Sequence, residues 1–127
     1  MLGKLSGPIA ERFGKKTWMN DYASSAVHHA LLSCGAVDII VAGDNSYNPK
    51  KRRTGEEIGS AYLLVKEAGG VMLDWNGKDL GGEIIGLDKG KVFHYITAST
   101  KELGTGFAKE LRDIPEIVEY MKAKNLI

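Results

Sequence analysis

Four short stretches of this sequence carry residue types suited to chemistry on phosphate or metal. Ser24 and Ser25 precede a run rich in Ala and Leu. Serine there is a helix N-cap, and a helix N-terminus presents backbone N–H donors to anionic or hydroxyl groups. Asp44 lies in Gly43-Asp44-Asn45-Ser46-Tyr47-Asn48-Pro49, which is turn chemistry throughout. Lys50, Lys51, Arg52 and Arg53 follow at once. Lys and Arg suit phosphate oxygens, and the same run also suits a solvated surface loop. Thr54-x-x-Glu57 then forms a capping-box pattern, while the Glu57 carboxylate is also a hard oxygen donor of the kind magnesium takes.

Other constellations carry less. His28, His29 and Cys34 are potential ligands by type, but adjacent helical positions point to different faces, and no second ligand pair follows. Gly104-x-Gly106-x-x-Lys109 lacks the third glycine of a dinucleotide fingerprint. Asp74-Trp75-Asn76-Gly77 is too short for a calcium loop and reads as a hairpin-like turn. Ser33, Cys34 and the histidines show no spacing that singles out a nucleophile and its base.

The elements that must position these residues alternate between helix and strand. Pro8 to Phe13 reads as the end of a helix stopped by Gly14, and Lys15 to Met19 as a short strand. Ala26 to Cys34 is helical with Gly35 as its stop, and Val37 to Ala42 is a strand apolar on both faces. Thr54 to Ala68 is the clearest helix. Ile58, Ala61, Tyr62, Val65 and Ala68 recur at helical spacing before Gly69-Gly70. Val71 to Asp74 is a strand, and Asn76-Gly77 a turn. Gly81 to Lys91 is a glycine-rich loop with a weak strand at Glu83 to Ile85, and Val92 to Ala98 is a buried strand. Ser99 to Arg112 is helical but interrupted by Gly104 and Gly106. Pro115 starts a last helix running to Lys124. This alternation predicts one α/β domain over residues 1–127, a three-layer α/β/α sandwich with a mostly parallel or mixed sheet and helices on both faces.

Composition narrows the function. A formal net charge of +1 and an aromatic content of 8% argue against a nucleic-acid binder. No apolar run approaches a membrane span, and Met1-Leu2-Gly3-Lys4 does not open a signal peptide. A single cysteine, Cys34, rules out an internal disulfide. Together these give the expectation of a cytoplasmic protein without nucleic-acid or membrane partners.

Two longer segments carry a family resemblance. Ala23-Ser24-Ser25-Ala26 through Ala36-Val37-Asp38 resembles the Gly-Ser-Ser-Ala … Ala-x-Gly-x-x-Asp segment of the inositol monophosphatase/fructose-1,6-bisphosphatase superfamily. Glu57-Ile58-Gly59-Ser60-Ala61 through Glu67-Ala68-Gly69-Gly70 is similar to its Trp-Asp-x-Ala-Ala-Gly … Glu-Ala-Gly-Gly signature. The two occur in the family's order and spacing. The likeness covers most of this chain, but only the C-terminal domain of a family member.

The resemblance implies a magnesium-dependent phosphomonoesterase acting on a sugar or inositol phosphate. Most metal ligands of that family come from an N-terminal half, through a glutamate and an Asp-Pro-Ile-Asp-Gly-Thr-type motif that this sequence does not contain. Magnesium is therefore expected only in a site completed by such a half, and the isolated chain is expected to be inactive. Glu57 stands where the family has its C-terminal metal-binding aspartate, and Glu56 replaces the tryptophan. Ala23, Ser24 and Ser25 match the stretch that lines the substrate pocket, with Ala23 in place of glycine. The acidic position that holds sugar hydroxyls falls on Ala42, which leaves Asp44 as the nearest carboxylate. The implied partners are the phosphorylated substrate and an N-terminal half-domain or further copies of the chain. The contrasting reading is a non-catalytic domain that binds a phospholigand or protein, since fold alone does not confer activity.

Overall fold

Two helices in this protein hand the chain to strands through the same glycine-ended reversal. In the computed structural model, which describes residues 2–13, 25–43, 55–84 and 93–127, α2 spans Ser25–Ser33 and β1 spans Ile39–Ala42. An earlier helix, α1, covers Leu2–Phe13. The next pair is α3 (Gly55–Glu67) and β2 (Val71–Asp74). After α2, Gly35 takes φ +81°. Its N–H bonds the Leu32 carbonyl, and the Ala36 N–H bonds that of Leu31. After α3, Gly69 takes φ +84° with the corresponding bonds to Lys66 and, from Gly70, to Val65. Both are Schellman caps, in which a left-handed residue satisfies the last helical carbonyls.

Gly70 answers a second constraint. A Cβ there would lie 2.6 Å from the Ala98 carbonyl oxygen and 2.9 Å from Val65 Cγ1. Only glycine lets the end of α3 come this close to the neighbouring strand.

The remaining elements are α4 (Gly81–Ile84), β3 (Tyr95–Ala98), α5 (Lys101–Leu111) and α6 (Pro115–Ala123). The described strands form one sheet in the order β1-β3-β2, with both pairings antiparallel. The fold is thus mixed α/β. The expected pairing was mostly parallel or mixed, and the difference has a specific origin. β1 and β2, joined through α3, do run parallel to each other, but β3 enters between them in the opposite direction. This is a split β-α-β arrangement. Helix–strand alternation reports the relative direction of β1 and β2 and carries no sign of the later insertion.

Register sorts the strand residues onto two faces. Ile40, Thr97 and Met72 align across the sheet, as do Ala42, Tyr95 and Asp74. Met72, Ala42 and Tyr95 pack with Ile58 and Ala61 of α3. Ile96 on the opposite face packs with Phe107, Ala108 and Leu111 of α5 and with Ile117 and Met121 of α6. Helix residues therefore cover both faces. Ile58 and Val65 are fully buried, each stabilising the fold by ~1.5–3 kcal/mol.

Several local differences have physical causes. α1 ends at Phe13 as expected, although Pro8 lies inside the helix. Buried Leu5 and Ile9, the stacking of Phe13 on Phe107 and the Arg12–Glu110 ion pair hold it against α5 and α6. Interior proline costs a backbone hydrogen bond, which tertiary packing here offsets. The weak strand expected at Glu83 to Ile85 is corrected: residues 81–84 form α4, and the Asp79 carboxylate accepts the Gly81 N–H at 2.8 Å. Ile85 and the strand expected at Lys15 to Met19 lie outside the described residues. β1 is shorter than expected, and Ile39, Ile40 and Val41 are only half-buried.

α5 is continuous through Gly104 and Gly106. A Cβ at 104 would meet Val71 Cγ2 at 2.8 Å, so this glycine allows α5 to sit directly on β2. Thr100 caps α5 by accepting the Leu103 N–H, and Pro115 opens α6 as expected.

Candidate functional site

Chain direction brings the ends that matter to one side of the sheet. α2 packs on β1 and α3 on β2, each pair joined by a single tight reversal. Each helix therefore runs opposite to its strand. The first residues of α2 and α3, Ser25 and Gly55, accordingly lie at the carboxyl ends of β1 and β2. β3 is antiparallel, so its amino end is there too, where Ala42, Tyr95 and Asp74 align.

An interlocked group of aromatic side chains forms the structure beneath this end. Trp75, just after β2, is buried and donates its indole N–H to the Ala42 carbonyl at 3.1 Å. His94, just before β3, meets the Trp75 ring edge-on, with centroids 5.3 Å apart. His94 Nε2 is hydrogen-bonded to the Tyr120 hydroxyl of α6 at 2.9 Å, in a direction set by the imidazole tautomer. Gly43 lies against both rings. A Cβ there would be 3.1 Å from His94 Cδ2 and 3.2 Å from Trp75 Cζ2. Gly43 thus lies over an aromatic floor.

His29 serves the sheet face instead. It is completely buried, with Nε2 at 3.1 Å from the Thr97 hydroxyl and its ring 5.6 Å from that of Tyr95. This packed role separates it from Cys34, which is exposed at the far end of α2.

The sequence-derived site residues stand as follows. Ala23, Ser24, Asp44, Lys50, Lys51, Arg52 and Arg53 lie outside the described residues. Ser25 opens α2, and Glu57 is in the first turn of α3. The side chains of Ser25 and Glu57 are not among those described, and neither is Thr54 of the capping box. What the structure brings together is the set of anchors from which those stretches depart: Ser25, Gly43 and Gly55. Among the described residues, no group of three or more His, Cys, Asp or Glu side chains is arranged to hold a metal ion.

The turn after β2 engages one oxygen of its own carboxylate. Asp74 Oδ1 accepts the N–H groups of Asn76 and Lys78 at 2.9 and 2.8 Å, and Gly77 takes φ +88°. This agrees with a hairpin-like turn, which the bond from the Asp74 N–H to the Lys78 carbonyl closes at 2.8 Å.

A second polar cluster, not visible in the sequence, joins α3 to this turn. Asp79 Oδ1 accepts the Tyr62 hydroxyl at 2.8 Å, and Asp79 Oδ2 lies 3.5 Å from Lys66 Nζ. Burial pushes the Asp79 carboxyl up. The Gly81 N–H, the Tyr62 hydroxyl and the Lys66 charge outweigh it and hold the group below its ordinary range. The hydrogen bond to Asp79, then burial, then the Asp79 charge push the Tyr62 phenol up. Tyr62 and Lys66 are one helical turn apart, a spacing that could have signalled a shared partner, but Asp79 is not periodic with either.

Among the described residues, no helix is long and apolar enough to cross a membrane. Comparisons with family models, with curated proteins and with solved structures returned no match.

Proposed function

We propose that this chain is the C-terminal domain of a magnesium-dependent phosphomonoesterase of the inositol monophosphatase/fructose-1,6-bisphosphatase type. It hydrolyses a sugar or inositol phosphate once a second half supplies the missing carboxylates. The convergence of Ser25, Gly43 and Gly55 on one end of the sheet carries this reading. That convergence gives the pocket stretch, the basic stretch and the glutamate a common point of departure. The steric demand at Gly70 gives the Glu-Ala-Gly-Gly stretch a structural reason, and helix residues on both sheet faces agree with the three-layer sandwich of that type.

In this scheme the backbone donors at Ser24 and Ser25 line the substrate pocket, and Asp44 faces its hydroxyl groups. Lys50, Lys51, Arg52 and Arg53 hold phosphate oxygens by charge-assisted hydrogen bonds. Glu57 offers one hard oxygen ligand. Magnesium, when bound in the completed site, supplies Lewis-acid stabilisation of phosphoryl charge and an activated water. The protein works in the cytoplasm in this reading.

Glu56-Glu57 in place of Trp-Asp favours a second reading, a domain that kept phospholigand or protein binding without the chemistry. One experiment separates the two. Magnesium-dependent phosphate release from inositol monophosphate and fructose bisphosphate is measured for the chain alone and mixed with a separately expressed N-terminal half bearing the carboxylate motif. Activity only on mixing is the expected result. No activity in either arm, with ligand binding retained, overturns the enzymatic reading in favour of the second.

A further inference from the structure

We draw no further inference here: the strongest candidate, the outward face of α2 and α3 where Val27, Leu63 and Leu64 are exposed, carries none because nothing in the structure shows what covers it.

Discussion

Tyr62 of α3 and Asp79 of the turn after β2 share a 2.8 Å hydrogen bond that ties a helix to the outer side of the sheet. Gly81 completes the contact, since a Cβ there would lie 2.2 Å from the Tyr62 hydroxyl oxygen. The Asp79 carboxyl titrates lower in the folded chain than in the unfolded one. Its contribution to stability is present above the ordinary carboxylate pKa and is lost as pH falls through the folded value. Tyr62 titrates higher when folded. Its contribution is present below the ordinary phenol pKa and is lost as pH rises through the folded value. Denaturant midpoints measured across pH should therefore fall less steeply on the acid side in Asp79→Asn. Tyr62→Phe should cost about 0.5 kcal/mol, the low end for a hydrogen bond at a partly exposed site. An unchanged acid limb in Asp79→Asn would remove this account of the pair.

The two glycines that end α3 should respond differently to alanine. Gly69→Ala places a side chain at φ +84° with open space around it, a left-handed penalty of about 1–2 kcal/mol. Gly70→Ala drives a methyl group into the Ala98 carbonyl, and the backbone cannot yield without shifting β3. Overpacking of this kind costs ~1–3 kcal/mol. Urea unfolding should show both variants destabilised, and hydrogen exchange in β3 tests the contrast, since it should increase only for Gly70→Ala.

Gly104 and Gly106 of α5 should give opposite signs. Alanine is favoured over glycine inside a helix by ~0.8–1 kcal/mol. At 106 nothing lies within 4 Å of the added Cβ, so Gly106→Ala should raise the thermal midpoint. At 104 the methyl group meets Val71 Cγ2 at 2.8 Å and Ala98 Cβ at 3.2 Å. The overpacking cost there, ~1–3 kcal/mol, exceeds the propensity gain, so Gly104→Ala should lower it. Equal shifts in the two variants would contradict the close seating of α5 on β2.

The aromatic floor should behave as a unit. Removing the hydroxyl in Tyr120→Phe deprives His94 Nε2 of its 2.9 Å bond and should cost about 1–3 kcal/mol. Trp75→Ala removes a fully buried indole and its bond to Ala42, and should cost ~3–5 kcal/mol. A double variant should lose less than the sum, because both side chains act on His94, whose ring meets Trp75 with centroids 5.3 Å apart and whose Nε2 bonds the Tyr120 hydroxyl. Strict additivity in denaturation would argue against a shared unit.

Glu57→Gln tests the metal-ligand assignment directly. In the two-half mixture it should abolish magnesium-dependent phosphate release, while far-UV circular dichroism of the chain stays unchanged. Retained activity with a stability loss of about 1 kcal/mol would leave Glu57 as a helix-capping residue alone.

Much of this arrangement is legible in the residues, and what is not has physical reasons. Val71 to Asp74, the glycine stops at Gly35 and Gly69 and the proline start at Pro115 are local events, decided within one turn of chain. The short helix at Gly81 is local too, but its cause is an aspartate two residues upstream, which a strand-like Ile84-Ile85 obscures. The meeting of His94 with Tyr120, and of His29 with Thr97, joins distant segments and leaves no periodic trace. Gly104 reads as a helix breaker because sequence shows its lost propensity and hides the Val71 methyl that requires it. The candidate site was legible as residue types. Its common end of the sheet depended on α2 packing back on β1 and α3 on β2, contacts between segments that residue types alone do not show.

The late insertion of β3 has a consequence for the newborn chain. Residues 39–42 and 71–74 leave the ribosome well before residues 95–98, the segment to which both bind. Until then two apolar strands wait with open hydrogen-bonding edges, a condition that invites intermolecular pairing. Premature termination ahead of Phe93 should therefore yield aggregates instead of a smaller folded domain.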